Sequence, residues 1–437
     1  MLKNFYKKLI KEYKSYSKYE KFFIFFIFIC CFSISSEAAI TRAIANSVFL
    51  SAYTAKSFPH VWLASVPINF VIVVIYNKFL SSFGCAKTFC AIITAAIVIN
   101  TFSVFHLESS KILPFLLYIW KDIFIILLFQ QLWSVINATI SRSRAKYLYG
   151  IFFGIGGCGS VAGSMIPGFL AILIGSEKLL LTTIPFYLIT TICYCLSLHV
   201  REKIESRQNI STMINGSKGV FEGINLIRNS KFLLFILIIV VGMQITSTIL
   251  DYQFCSYVEQ VFSDQDIRTQ FLGRFFGFVN IINIFLQFLG SFLLLQLIGL
   301  YSSHFLIPCV LGINSLLSLI FPTFRMVCFS FGSIKALDYS IFGIIKEMLY
   351  IPLKVDEKFK AKAIIDVFAY RSSKACASII VLLLQYITFI NLDLMLSYGL
   401  LVIFIIWIFA VTFMFKHYNK EVDRQHINWP ELQKAEF

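Results

Sequence analysis

The sequence predicts an all-α membrane protein of about twelve transmembrane helices arranged in two six-helix halves. Three observations lead there. Apolar runs of about 20 residues, the length that crosses a ~30 Å hydrocarbon core, recur from end to end. The composition is far from that of a soluble domain: 58% hydrophobic, 17% aromatic and only 14% charged over 437 residues, with a mean hydropathy of +0.80, where soluble chains carry roughly 25% charged residues. The third is a long polar stretch in mid-chain, with apolar runs in equal number on either side. A β-barrel would need alternating segments of about ten residues, and none is present.

In chain order, residues 1–21 form a basic N-terminus holding Lys3, Lys7, Lys8, Lys11, Lys14, Lys18 and Lys21. The run FFIFFIFICCFSIS and the small residues SEAA behind it have the outline of a signal peptide. The apolar character resumes at once, so an uncleaved first span is expected. Spans are placed near 22–50, 59–80, 84–105, 113–139, 145–175, 179–199, 232–255, 269–297, 300–321, 325–350, 361–387 and 392–416. With the N-terminus inside, most of the 38 Lys and Arg fall in inner loops, as membrane insertion favours. The outer loops receive Lys56, Lys111, Lys178, Arg268 and Arg325, together with Glu259, Asp264 and Asp266. A multi-pass bacterial inner-membrane protein with both termini cytoplasmic is the expectation.

The longest inner loop, 201–231, divides a first bundle, 22–200, from a second, 232–416; residues 417–437 form a cytoplasmic tail. A repeat supports the division. Arg142, Arg144 and Lys146 precede a helix with the small run Gly156 to Ser160; Lys358, Lys360 and Lys362 precede a helix with Ser372, Ser373, Ala375 and Cys376. Each cluster joins the fourth and fifth span of its half. Parallel six-helix repeats are the pattern of the major facilitator architecture. The glycine-rich run Gly154 to Gly168 lacks the Lys-Ser/Thr ending of a phosphate loop; it reads as a close helix contact.

Charges within spans are costly and should face the bundle interior. Lys335 and Asp338, three residues apart, are expected to pair, as are Asp251 and Arg274; both pairs are candidates for coupling or gating. Lys346 and Glu347 read as a structural pair near the inner surface. Arg371 and Lys374 share one helix face without an acid of their own, and such a face attracts anions. Arg42, with Glu37 nearby in sequence, is a third candidate base for binding substrate. The eleven Cys are scattered and the six His form no ligand motif, so no metal or cofactor is expected. The net charge of +15 belongs to inner loops, so nucleic acid is not the expected partner. The expected partners are the bilayer and a small anionic substrate, held at mid-membrane between the halves by a monomeric chain.

These residues carry a resemblance. Lys346-Glu347-Met348, Ile351-Pro352-Leu353, the stretch Lys358 to Ala363, Asp366, Arg371 and Lys374 resemble the non-mitochondrial ATP/ADP translocase family, nucleotide transporters of obligate intracellular bacteria and plastids, and most closely its major-facilitator-like relatives that lack part of the charged nucleotide-site set. Leu250 to Phe254, Gly273-Arg274-Phe275 and Trp133 through Lys146 add to it. The resemblance implies nucleotide antiport, with Lys374 at a charge important to transport and Asp251 at a carboxylate position. The chain departs from the family at Arg42-Ala43-Ile44-Ala45-Asn46, where Arg-Asp-Thr-Lys-Asp is usual, and at Asn137-Ala138, where Asn-Glu is usual. A nucleotide or related anionic metabolite is the expected cargo. The alternatives are a proton-coupled carrier of a non-nucleotide solute, and a non-transporting membrane protein or membrane enzyme.

Overall fold

The computed structural model describes residues 16–140, 142–205, 226–350, 353, 362, 364–365, 369–387 and 391–424. Among them every regular element is helical. Helix α1, Lys18–Ala52, begins at a capping box. Ser17 Oγ accepts from the Glu20 amide at 3.2 Å, and the Glu20 carboxylate accepts from the Ser17 amide at 2.8 Å, which satisfies two otherwise open donors. Helix α2, Phe58–His106, turns sharply at Gly84, whose φ of 75° and ψ of 174° lie in a region open essentially to glycine alone. It therefore supplies two crossings. Helix α3, Leu113–Thr139, opens with Pro114 in its first turn, where a missing N–H costs nothing. Helix α4 is Arg142–Ile174, with Pro167 inside it, and α5 is Ile184–Glu205.

The second part repeats this plan. Helices α6, Lys231–Val261, and α7, Gln265–Phe285, are followed by a π turn, Leu286–Gly290. Helix α8, Ser291–Ile320, turns at Gly299 with φ 77° and ψ 176°. Helix α9, Phe324–Leu337, passes through a π turn, Asp338–Phe342, into α10, Gly343–Leu349. Helices α11, Tyr370–Gln385, and α12, Leu392–Arg424, complete the set. Ten helices among the described residues are long and apolar enough to cross a membrane. The second leg of α2 and the sixteen-residue α11 bring the crossings to the predicted twelve. Large apolar side chains stay exposed along them, such as Leu173 at 78% and Phe105 at 72%, as the lipid-facing side of a span should.

The helices cluster into two units. The first holds the described residues within 1–54, 67–214 and 262–284. Its centre is α1, buried from Ser33 to Leu50 with few gaps. Helix α4 lies against it through glycines: a Cβ at Gly159 would strike the Phe32 carbonyl, and one at Gly163 the Ser36 carbonyl. Ser36 Oγ donates across this contact to the Gly159 carbonyl at 2.9 Å. Small residues thus let two backbones touch where lipid offers no hydrophobic drive for association. Around them Phe23, Ile27, Phe124, Leu128, Phe152 and Tyr194 form one apolar cluster, and Ile40, Ile44, Val48, Leu117 and Leu179 another.

The second unit holds the described residues within 55–66, 215–261 and 285–437. Phe254 stacks on Phe331 with centroids 4.3 Å apart, tying α6 to α9, and Trp407 of α12 meets Phe342 edge-on. His304 of α8 is buried, its Nε2 3.1 Å from the Ile345 carbonyl.

Candidate anion site and its polar support

In the second unit, Gln244, Ser247, Asp251 and Cys255 recur at three- and four-residue intervals, so they form one stripe on α6. The stripe meets the end of α9. Lys335 Nζ donates to Ser247 Oγ at 3.0 Å, lies 3.8 Å from Asp251 Oδ2, and sits 5.3 Å from the centre of the Phe331 ring. Asp338, at the start of the π turn, accepts from Gln244 Nε2 at 3.3 and 3.4 Å.

The ion pair is thus Lys335–Asp251, between two helices, where the spacing had suggested Lys335–Asp338 within one. Arg274, expected to meet Asp251, belongs to the first unit. There its Nε donates to the Gly168 carbonyl at 2.7 Å. Two residues three apart on a helix do share a face; the neighbouring helix decides which partner a long side chain reaches. Glu347 pairs with Lys362 at 2.5 Å, rather than serving Lys346 beside it.

Arg371 and Lys374 stand on α11, half-buried and three residues apart. Among the described residues neither has a carboxylate within ion-pair distance. Lys374 Nζ lies instead 5.3 Å from the centre of the Trp62 ring. An aromatic face holds an ammonium group without cancelling its charge. Such a pair of half-buried bases can receive a multiply charged anion, the Arg fork suiting phosphate. Asp366 lies outside the described residues, as do Lys354, Lys358 and Lys360.

Arg42 lies in the first unit, half-buried, its guanidinium carbon 5.7 Å from the centre of the Phe276 ring. Glu37 does not serve it. That carboxylate takes hydrogen bonds from Thr41 and Tyr187. Ala45, at the family's lysine position, is fully buried with Ile40, Ile44 and Leu117, so this position is a packing position here. Ala138 is exposed, and Asn137 before it accepts from the Tyr149 hydroxyl.

Two further residues escaped sequence reasoning. Trp62, one of five tryptophans and part of no motif in the sequence, is buried beneath Lys374. Arg268, counted with the outer loops, stands in the first turn of α7 and is buried. Its guanidinium donates to the Phe262, Ser263 and Ser47 carbonyls and to Ser51 Oγ.

Among the described residues, the apolar crossings, the ion pair between α6 and α9 and the bases on one face of α11 belong to a multi-pass membrane protein of major-facilitator-like fold. Solved structures share that fold. A bacterial homologue of the iron transporter ferroportin in its inward-facing state aligns at TM-score 0.63 and 11% identity, over 90% of this chain and 100% of that one. A variant of the nucleoside transporter NupG aligns at TM-score 0.61 and 13% identity, again over 90% and 100%. The chain belongs to the TLC ATP/ADP transporter family, which it matches over residues 109–418. It is 26% identical to ADP,ATP carrier protein 3 of Rickettsia bellii over 223 residues, 46% of this chain and 44% of that protein. It is 21% identical to ADP,ATP carrier protein 5 of Rickettsia typhi over 471 aligned positions, 89% and 92% of the two.

Proposed function

We propose that this chain is an antiporter that exchanges a nucleotide, or a closely related anionic metabolite, across a bacterial inner membrane by alternating access. The observation that carries the reading is the α11 face. Arg371 and Lys374 lie on a membrane helix and, among the described residues, no carboxylate pairs with either. Bases kept in that state at such cost serve a charged cargo. Membership of an ATP/ADP transporter family and relatives named as ADP,ATP carriers point to a phosphate-bearing cargo. Arg42 supplies a further base in the first unit. Lys335, Asp251 and Asp338 form the polar support within the second unit, and Arg274 is held to Gly168 in the first. The distribution of Lys and Arg supports a topology with both termini in the cytoplasm.

The test is uptake of labelled ATP into proteoliposomes loaded with ADP. Replacing Lys374 with Ala removes a charge-assisted contact of about 1.5–3 kcal/mol, so uptake at limiting ATP falls about tenfold or more. Unchanged uptake of ATP and of every other transported anion would sink the assignment.

A further inference from the structure

One buried acid has no part in that reading. Glu37, mid-way along α1, is 1% exposed. Its Oε1 accepts from Thr41 Oγ1 at 2.5 Å and from the Tyr187 hydroxyl at 2.8 Å. Its Oε2 is buried without a hydrogen-bond partner. Asn100, fully buried on α2, is part of the same network. Its Nδ2 donates to the Tyr187 oxygen at 3.4 Å and to Thr183 Oγ1 at 3.1 Å, and its Oδ1 is likewise buried and unpartnered. One turn further on, Ser103 Oγ is in the same condition.

Apart from that of Ser103, the hydroxyl protons of this niche are already committed. Thr41 and Tyr187 give theirs to Glu37, and Thr183 gives its own to the Leu180 carbonyl at 2.6 Å. Turning the Asn100 amide over would bring its oxygen to two hydroxyl groups with no proton left to offer. The niche therefore holds an excess of oxygen acceptors and one formal negative charge. No base offsets it. Of the elements packed on α1, α3 carries Lys121, which pairs with Asp122 at 3.0 Å. Helix α4 has neither acid nor base from Leu148 to Ile174. The turn before α5 carries Lys178, and α5 itself presents Tyr187. Arg42 of α1 faces Phe276. Among the described residues no cationic side chain is within ion-pair distance of Glu37. A buried carboxylate without a counter-charge is strongly unfavourable, and a donor set made only of oxygens suits a hard cation.

We infer that the Glu37–Asn100–Tyr187 niche binds one monovalent cation, a proton or a sodium ion, and links its gradient to transport. Binding neutralises the carboxylate and fills the acceptor excess. The link to transport rests on the carrier reading above; the binding itself does not.

The experiment uses the full chain in liposomes adsorbed to a solid-supported membrane, without nucleotide. Sodium is jumped against choline at fixed pH, and pH is jumped at fixed choline. The wild type gives a transient charge displacement on one of the two jumps, which identifies the ion, and Glu37→Gln reduces it about tenfold or more. Asn100→Leu and Tyr187→Phe raise the half-saturating ion concentration about tenfold; they carry the test if Glu37→Gln does not reach the membrane. No displacement in the wild type, or equal displacement in all three variants, means that the niche holds an internal water only and overturns the proposal. Exchange of ATP for ADP separates this result from the carrier reading: Glu37→Gln retains it, and Lys374→Ala loses it.

Discussion

Arg268 is 3% exposed and gathers carbonyls from two places. Its Nη2 donates to the Phe262 carbonyl at 2.6 Å, closing the turn before α7, and its Nη1 donates to the Ser47 carbonyl at 3.2 Å near the end of α1. Nearby, Asp266 accepts from both the amide and the hydroxyl of Ser176. Cutting Arg268 back to Ala strands these acceptors, and the expected loss is on the order of 3 kcal/mol. Lys restores part of it, since an ammonium group has three donors but no planar fork. Thermal unfolding of the purified protein in detergent, with Ser51→Ala as the mild control, measures this. A wild-type midpoint for Arg268→Ala would show that water replaces the guanidinium without loss. The residue scale is also where the sequence was least legible. Hydropathy located Arg268 beside a loop, but nothing in the chain announced that it folds inward. In the same way, Lys335 and Asp338 advertised a pair by spacing alone, while the stripe Gln244, Ser247, Asp251 became visible only with α6 set against α9. A partner on another helix leaves no mark in local periodicity.

At the scale of one element, α4 shows a sequence feature with a definite structural use. Its glycines are not equivalent. A Cβ at Gly159 or Gly163 would run into the backbone of α1, whereas one at Gly150 meets nothing within 4 Å. Overpacking of this kind costs about 1–3 kcal/mol, and more where backbone must move. Gly163→Ala is therefore expected to lower the unfolding midpoint and the yield of folded protein, while Gly150→Ala is neutral or slightly stabilising through the better helix propensity of Ala. Equal behaviour of the two variants would mean that α1 and α4 separate easily. Elements were largely legible because a span is fixed by length and apolarity. The predicted breaks, 80 to 84 and 297 to 300, fall on Gly84 and Gly299. The π turn at Asp338 gave no such signal, since a widened turn needs no change of hydropathy.

At the scale of the whole molecule, the two glycine turns carry an argument of their own. Gly84 and Gly299 each follow the second span of their half, and their backbone angles agree within a few degrees, φ 75° and 77°, ψ 174° and 176°. A conformation this restricted, placed twice at matching positions, is a second sign of the six-span repeat that the basic clusters first suggested. Two parallel six-span repeats require an even number of crossings, so the orientation of one loop sets that of every other. In the topology we propose from the excess of Lys and Arg in alternate loops, the loop between α2 and α3 lies outside and the segment before α6 inside. With the eleven Cys replaced, Ser109→Cys should react with an impermeant maleimide in intact cells. Asn229→Cys should react only after the membrane is opened. The reverse pattern would turn the molecule over, and would place Asp264 and Asp266 beside the cytoplasm in a setting that the insertion rule was never asked to explain.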